Sequence, residues 1–308
     1  MTLTELRYIV AVARERHFGR AAEACFVSQP TLSVAIRKLE EELHTQIFER
    51  TNTEVAMTSL GALIVDQAQR VLEEANALKH LAKHGQDPLS GPLRLGAIYT
   101  IAPYLLPSLV RIARERLPHA PLFLEENFTV RLLEVLRQGA LDCVVIAEPF
   151  ASTGLQQIDL YDEPFLVAVP KGHPWEDRKS IPHRELKEQN TLLLGTGHCF
   201  RDHVLGVCPE LNRLGSGSTL GEQRSFEGSS LETIRQMVAS GIGISVLPRT
   251  SASDISASDQ LIRYIPFDDP IPTRRVCLVW RKNFPRVAAM HELAEVIRQC
   301  ALPGVKYI

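Results

Sequence analysis

Polar and apolar positions along the 308-residue chain follow three successive rhythms. Up to about residue 58, apolar residues recur at helical spacing in short runs, which predicts helices over Thr4–Val12, Gly19–Ala24 and Gln29–Leu43. A Ser-Gln-Pro-Thr turn divides the last two, and Glu49–Thr58 reads as a hairpin. Residues 59–84 then form one long polar–apolar helix without proline. Within it Ile64, Ala68, Val71, Ala75, Leu78 and Ala82 step by 4, 3, 4, 3 and 4, the seam spacing of a coiled coil. The segment Gly85-Gln86-Asp87-Pro88-Leu89-Ser90-Gly91-Pro92 stops that helix and reads as a hinge.

From residue 93 short apolar runs of buried-strand length alternate with helical patterns. Strands are expected at Leu93–Ile98, Leu122–Glu126, Cys143–Ala147, Phe165–Val169, Thr191–Leu194, Ile242–Leu247 and Arg275–Trp280. Helices are expected at Tyr104–Leu117, Thr129–Gln138, Ser229–Ser240 and Arg286–Cys300. The alternation predicts an α/β fold with mainly parallel sheets, long enough for two lobes, with ligands at the C-terminal ends of strands.

Composition changes the picture little. Hydrophobic residues make up 45% of the chain, charged ones 23%, and the net charge is −2, so no overall basic field points to nucleic acid. No run is long enough to span a bilayer, and the N-terminus lacks a signal-peptide pattern, which together predict a cytoplasmic protein. The six cysteines Cys25, Cys143, Cys199, Cys208, Cys277 and Cys300 are then no structural disulfide framework, because that compartment keeps thiols reduced.

Chemistry concentrates in Thr196–Cys208, where two cysteines lie nine positions apart behind a glycine turn, with His198 and Arg201 beside the first. A thiol reacts as its thiolate, and cationic neighbours or a helix N-terminus favour that form. If this stretch is helical, nine residues place the two Cα atoms roughly 13 Å apart on opposite faces. A disulfide needs them within about 7 Å, so the pair can close only if the helix melts. That spacing suggests a redox switch that changes shape. Cys25, Cys143, Cys277 and Cys300 fall in apolar runs and read as small buried side chains.

Residues Phe18–Glu40 have helix-turn-helix organisation. Ala21 and Ala22 let two helices cross closely, Val27 and Leu32 fill the angle, Ser28 caps the second helix, and Pro30 suits its first turn. Gln29, Thr31, Ser33 and Arg37 are left to face a DNA major groove, with Arg50 of the hairpin near the backbone. Residues 1–58 hold 7 Lys and Arg against 8 Asp and Glu, so binding would rest on placed contacts and helix dipoles.

These features carry a resemblance. Phe18-Gly19-Arg20-Ala21-Ala22, Val27-Ser28-Gln29-Pro30-Thr31-Leu32-Ser33, Ile36-Arg37-Lys38-Leu39-Glu40-Glu41-Glu42-Leu43 and Phe48-Glu49-Arg50 resemble the winged helix-turn-helix of LysR-type transcriptional regulators. Gly197-His198-Cys199-Phe200-Arg201-Asp202, Cys208 and Ser230-Leu231-Glu232-Thr233 resemble the hydrogen-peroxide-sensing members of that family. The resemblance implies an all-α winged helix-turn-helix domain at 1–58, a linker and dimerisation helix at 59–84, a hinge at 85–92 and a regulatory domain at 93–308. The regulatory domain would have two Rossmann-like lobes in the manner of periplasmic binding proteins, lobe I about 93–163 and 268–301, lobe II about 164–267. It further implies a homotetramer on double-stranded promoter DNA that works with RNA polymerase. Hydrogen peroxide would oxidise Cys199 to a sulfenic acid, which Cys208 converts to a disulfide. Thr100, Thr129, His198, Arg201, Asp202 and Arg274 would support the peroxide site, while Ser28, Gln29, Pro30, Thr31, Ser33, Arg37 and Arg50 would serve DNA binding.

Two positions depart from the family's pattern. His44 stands where glycine usually ends the helix, which requires a left-handed residue or a changed turn and puts the wing in question. Ala35 stands where many relatives have glutamine, which removes one possible base contact. Other readings remain open. The cysteines are incidental if a small organic effector between the lobes is the signal, and Cys199 could instead serve a thiol peroxidase. Cys199 with His203, or His80 with His84, could share a helix face toward a metal, but four ligands are hard to gather from this spacing. No nucleophile elbow, Walker loop, zinc-protease motif or Rossmann glycine fingerprint is present, so no enzyme class and no cofactor is expected.

Overall fold

The computed structural model describes the chain except residues 51–54, 85, 86, 88, 212–226, 229 and 253–260. It divides into two compact units, one of Met1–Asp87 with Asn283–Pro285, the other of Pro88–Lys282 with Arg286–Ile308.

The first unit is built by α1 (Leu3–Glu15), α2 (Phe18–Ala24), α3 (Gln29–Glu42), the antiparallel pair β1 (Phe48–Arg50) and β2 (Val55–Met57), and α4 (Ser59–His84). Its core joins Ile9, Val12, Ala21, Ala22, Leu32, Ile36 and Leu39, so the small Ala21 and Ala22 stand at the helix crossing where the sequence pattern needs them. The Ser28 hydroxyl caps α3 by accepting from the Thr31 backbone N–H at 3.3 Å. His44 takes the left-handed conformation with φ 49°, and the strand pair forms beyond it, so this turn is kept without glycine. The coiled-coil seam of α4 is divided. Ile64 and Ala68 pack into the core of the first unit, whereas Val71 and Leu78 are 37% and 70% exposed. The side chains of His80, Ala82 and His84 lie outside the described residues.

The second unit begins β3 (Leu93–Ile98), α5 (Ala102–Arg116), β4 (Leu122–Asn127), α6 (Thr129–Arg137), β5 (Cys143–Ala147) and β6 (Leu155–Pro170). It continues β7 (Thr191–Leu194), α7 (Cys199–Val207), β8 (Glu227–Gly228), α8 (Leu231–Ala239), β9 (Ile244–Pro248), β10 (Ile262–Pro266), β11 (Thr273–Arg281), α9 (Val287–Arg298) and β12 (Lys306–Tyr307). Strand order is β4-β3-β5-β11-β6-β9-β7-β8, with β10 and β12 also on β6.

The expectation of mainly parallel sheets is corrected here. β3 pairs in parallel with β4 and β5, and β7 with β8 and β9, but β11 runs antiparallel to β5 and β6, and β6 antiparallel to β9 and β10. The cause is the length of β6. Its first part, Leu155–Pro164, pairs with β11, and Phe165–Pro170 pairs with β9 and β10, so one strand crosses from the first lobe to the second and back-pairing strands frame it. In the second lobe Phe165, Val167, Leu192, Leu194, Phe200, Val204, Ile234 and Val246 share one core, which seats α7 by Phe200 and Val204.

Candidate functional site

Three chain segments leave strand C-termini and converge. Thr100 follows β3, Thr129 opens α6 immediately after β4, and Cys199 opens α7 after β7 and a turn at Gly197. Gly197 has φ +100°, a conformation that side-chain-bearing residues rarely adopt, and the Phe128 ring lies only 3.5 Å from where a Cβ would stand. Together Ile98, Tyr99, Thr100, Asn127, Phe128, Thr129, Gly197, His198 and Cys199 line a cavity of about 10 Å³. That is the scale on which a site holds a single water-sized molecule.

The polar groups of this cavity are disposed toward a ligand. Thr129 is 9% exposed, and its buried hydroxyl has no hydrogen-bond partner. Leaving such a group unsatisfied costs about 1–3 kcal/mol, which a small polar guest would recover. The Thr100 hydroxyl accepts from Nη1 of Arg274 at 2.7 Å, so its own proton remains to donate. Nη2 of Arg274 also donates to the Thr100 carbonyl at 3.0 Å. Arg274 is held from behind by Glu163, whose side chain is fully buried with it, Nε to Oε2 being 2.8 Å. The Thr250 N–H and hydroxyl complete that carboxylate. The Arg274 guanidinium also lies 5.0 Å from the centre of the Phe200 ring, so one buried cation connects Thr100 with the first turn of α7.

The two cysteines meet opposite surroundings. Cys199 is half-buried and faces the cavity, while Cys208 ends α7, is 1% exposed and donates its thiol to the His183 carbonyl at 3.5 Å. Burial pushes the Cys208 thiol up to about 12. Cys143, Cys277 and Cys300 are buried, and burial raises each of these thiols and that of the half-buried Cys25.

Comparison with known proteins follows the same division of the chain. The bacterial regulatory helix-turn-helix protein, lysR family, matches residues 3–62, and the LysR substrate binding domain matches residues 86–301. The chain belongs to the LysR family. Within it, this LysR regulator is 41% identical over 298 residues to the DNA-binding transcriptional dual regulator OxyR of Escherichia coli K12, covering 97% of this chain and 95% of that one. It is 39% identical over 285 residues to the hydrogen peroxide-inducible genes activator of Haemophilus influenzae, with 92% of each chain covered. Among solved structures, a full-length Pseudomonas aeruginosa OxyR with a cysteine replaced by aspartate is 50% identical, with a TM-score of 0.76 over 98% of this chain and 96% of that one. A hydrogen-peroxide-bound cysteine mutant of Corynebacterium glutamicum OxyR is 32% identical, with a TM-score of 0.64 over 97% and 92% of the two chains.

The structure of this LysR regulator brings Thr100, Thr129, His198 and Cys199 to one cavity and sets Arg274 behind Thr100. Arg201 and Asp202 stand elsewhere. Arg201 donates to the Leu194 carbonyl at 2.8 Å, and Asp202 is exposed on the first turn of α7. Of α7 only its first residue, Cys199, lines the cavity, while Arg201 turns back to the end of β7 and Asp202 to solvent. His203, one turn after Cys199, binds the Glu148 carbonyl through Nε2 at 2.6 Å, so its ring serves the packing of α7. Glu148, Asp159 and Cys277 bring three ligand atoms together, but the amide of Gln157 donates to both carboxylates and Arg275 pairs with Asp159.

In the first unit Ser28, Gln29, Pro30, Thr31 and Arg37 are exposed and Ser33 half-exposed along one side of α3. Ser28 and Thr31 join hydroxyls at 2.8 Å, while Gln29 and Arg37 extend outward. The side chain of Arg50 lies outside the described residues. Sequence reading missed Val34, 66% exposed on α3, and the cavity residues Ile98, Tyr99, Asn127 and Phe128. A signal existed: Tyr99 and Phe128 each directly precede a threonine already singled out.

Proposed function

We propose that this LysR regulator controls transcription of the peroxide response by reversible oxidation of Cys199 and Cys208. The observation that carries this reading is the Cys199 thiol on a cavity of about 10 Å³ beside the orphaned hydroxyl of Thr129. A site of that size suits hydrogen peroxide and is far below the ~300–1,000 Å³ that organic effectors occupy.

The chemistry proceeds in two balanced steps. The sulfur of Cys199 attacks one peroxide oxygen, an S–O bond forms, the O–O bond breaks, and water leaves with the thiol proton, giving a sulfenic acid. Thr100 and Thr129 hold the two oxygens, and His198 borders the leaving one. Cys208 then attacks the sulfenic sulfur, a disulfide forms and a second water leaves. Because the cysteines terminate opposite ends of α7, this second step requires the helix to melt, which releases Phe200 and Val204 from the second-lobe core. The refolded segment biases the arrangement of regulatory domains, a two-state element driven by redox chemistry. The active assembly in this reading is a cytoplasmic homotetramer on promoter DNA, with α3 in the major groove and RNA polymerase as the protein it assists.

Intact and peptide mass spectrometry of the reduced protein after near-stoichiometric peroxide tests this. The expected product has lost about 2 Da, mapped to a Cys199–Cys208 bridge. Unmodified thiols, or a DNA footprint that still responds to peroxide in Cys199→Ser, overturn it.

A further inference from the structure

Each of the three residues that meet at the cavity with chemistry to offer follows an aromatic ring in sequence: Tyr99 before Thr100, Phe128 before Thr129, His198 before Cys199. The fold brings these rings together as it brings the reactive residues together. Tyr99 and Phe128 stand edge to face with centroids 5.2 Å apart, Phe128 and His198 4.8 Å apart, and Tyr99 and His198 6.0 Å apart. His198 is 6% exposed, whereas Tyr99 and Phe128 are 38% and 36% exposed and also line the cavity. The two outer rings therefore have one side in solvent and the other toward Cys199. Edge-to-face packing fixes their spacing beyond what area burial alone provides. Phe128 is held further by its backbone N–H, which donates to the Asn127 side chain at 3.0 Å, and by Gly197, which has no side chain to push the ring aside.

We propose that Tyr99 and Phe128 form a size gate that admits hydrogen peroxide to Cys199 and turns away alkyl hydroperoxides. The inference rests on the reading of Cys199 as the peroxide-reactive thiol and assigns its substrate selectivity to two residues with no reactive atom. An alkyl hydroperoxide would react by the same balanced step, the sulfur taking the terminal oxygen and the alcohol leaving with the thiol proton, so chemistry does not exclude it. Its carbon atoms must pass the paired rings at the mouth, and a space of about 10 Å³ behind them, the scale of one water-sized molecule, has no room for them. His198 is the fixed inner ring of the collar; the outer pair faces solvent and can be trimmed without opening the core.

The test compares second-order rate constants for Cys199 oxidation by hydrogen peroxide and by tert-butyl hydroperoxide, read by sulfenic-acid trapping in the full chain carrying Cys208→Ser. Steric discrimination of this kind is worth about 10–200-fold, so Phe128→Ala and Tyr99→Ala should each raise the alkyl-to-hydrogen-peroxide rate ratio at least tenfold. Phe128→Leu, which keeps bulk, should raise it less. An unchanged ratio in Phe128→Ala and Tyr99→Ala, both folded by near-ultraviolet circular dichroism, overturns the gate. Should Phe128→Ala lose its fold, Tyr99→Ala and Phe128→Leu decide alone, and a flat ratio in both has the same meaning. If unsubstituted Cys199 resists hydrogen peroxide, the underlying reading fails instead, a separate result visible before any gate variant is made.

Discussion

Replacing Gly206 with alanine isolates the melting of α7 from the chemistry that starts it. Gly206 lies in the last turn of the helix, is exposed, and has nothing within 4 Å of the place a Cβ would occupy. Its backbone is not left-handed, so alanine adds helix propensity without strain. Near a helix end that substitution stabilises by about 0.5–1 kcal/mol. The gain applies to the reduced fold and vanishes once α7 melts. If disulfide closure passes through the melted helix, the second step slows roughly two- to fivefold, since ~1.4 kcal/mol corresponds to a factor of ten. Stabilising the reduced form also makes the disulfide easier to reduce, raising the potential by about 10–20 mV for a two-electron couple. Gly206 does not line the cavity, so sulfenic-acid formation keeps its rate.

Quenched-flow samples divided between a sulfenic-acid trap and thiol alkylation resolve the two steps, and Val204→Ala supplies the opposite sign. Val204 is 2% exposed in the second-lobe core, and losing two methyl groups there costs about 1.6 kcal/mol of α7 packing, which should speed closure on the order of tenfold. The reasoning fails if Gly206→Ala raises the thermal stability of the reduced protein yet leaves closure unchanged or faster, because the cysteines would then meet without unwinding the helix.

Four further outcomes follow from the same geometry. Thr129→Val removes the orphaned hydroxyl, so Cys199 oxidation should slow about tenfold, the loss of one donor worth ~1.4 kcal/mol, while the melting temperature holds or rises; calorimetry with trapping kinetics reads both. Cys208→Ser should stop at the sulfenic acid, a mass gain of about 16 Da with no bridge. Burial depresses the pKa of His203 below its ordinary 6.5, so the folded state resists the proton that the unfolded chain takes up; stability is full above pH ~6.5 and falls as pH drops below it, and denaturant titrations of His203→Gln should lose that slope. Arg37→Ala should weaken binding to promoter DNA across sequences and reduce the slope of log affinity against log salt by about 1, measured by fluorescence anisotropy.

The boundaries of α3 were readable because local chemistry sets them, Ser28 capping one end and the left-handed His44 closing the other. β5 and β7 were readable because every position in them is buried and apolar residues dominate the run, and β3 because Arg94 alone interrupts its buried positions. The first part of β6 was not. Gln156, Gln157, Asp159 and Asp162 make Leu155–Pro164 look like a loop, and only pairing with β11, more than a hundred residues later, makes it a strand. Glu163 was hidden for the same reason: a glutamate in a polar run gives no sign of complete burial until Arg274, 111 positions away, is placed beside it. The cavity threonines came from the resemblance, but their aromatic neighbours belong to different elements and acquire a shared role only in three dimensions.

The order of the two thiols follows from where the fold puts them. Cys208, pushed up to about 12 by burial, is held as the thiol at neutral pH, and its sulfur is committed to the His183 carbonyl. In the proposed reaction it does not compete for peroxide, and it resolves the sulfenic acid only once α7 opens. Opening would remove the burial that raises it and return it toward the ordinary thiol range of ~8.5, favouring the thiolate. The same opening strips Phe200 from the Arg274 guanidinium while Glu163 keeps the charge paired, so the buried ion pair need not be exposed for the helix to leave. A full salt bridge behind the cavity thus separates the cost of unwinding α7 from the far larger cost of uncovering a lone buried charge, about 3–5 kcal/mol when one partner is missing. Glu163→Gln is therefore expected to destabilise the reduced protein by that amount and to slow its oxidation, because Arg274 no longer holds Thr100 in place; a variant that loses neither would show that the ion pair is bystander to the switch.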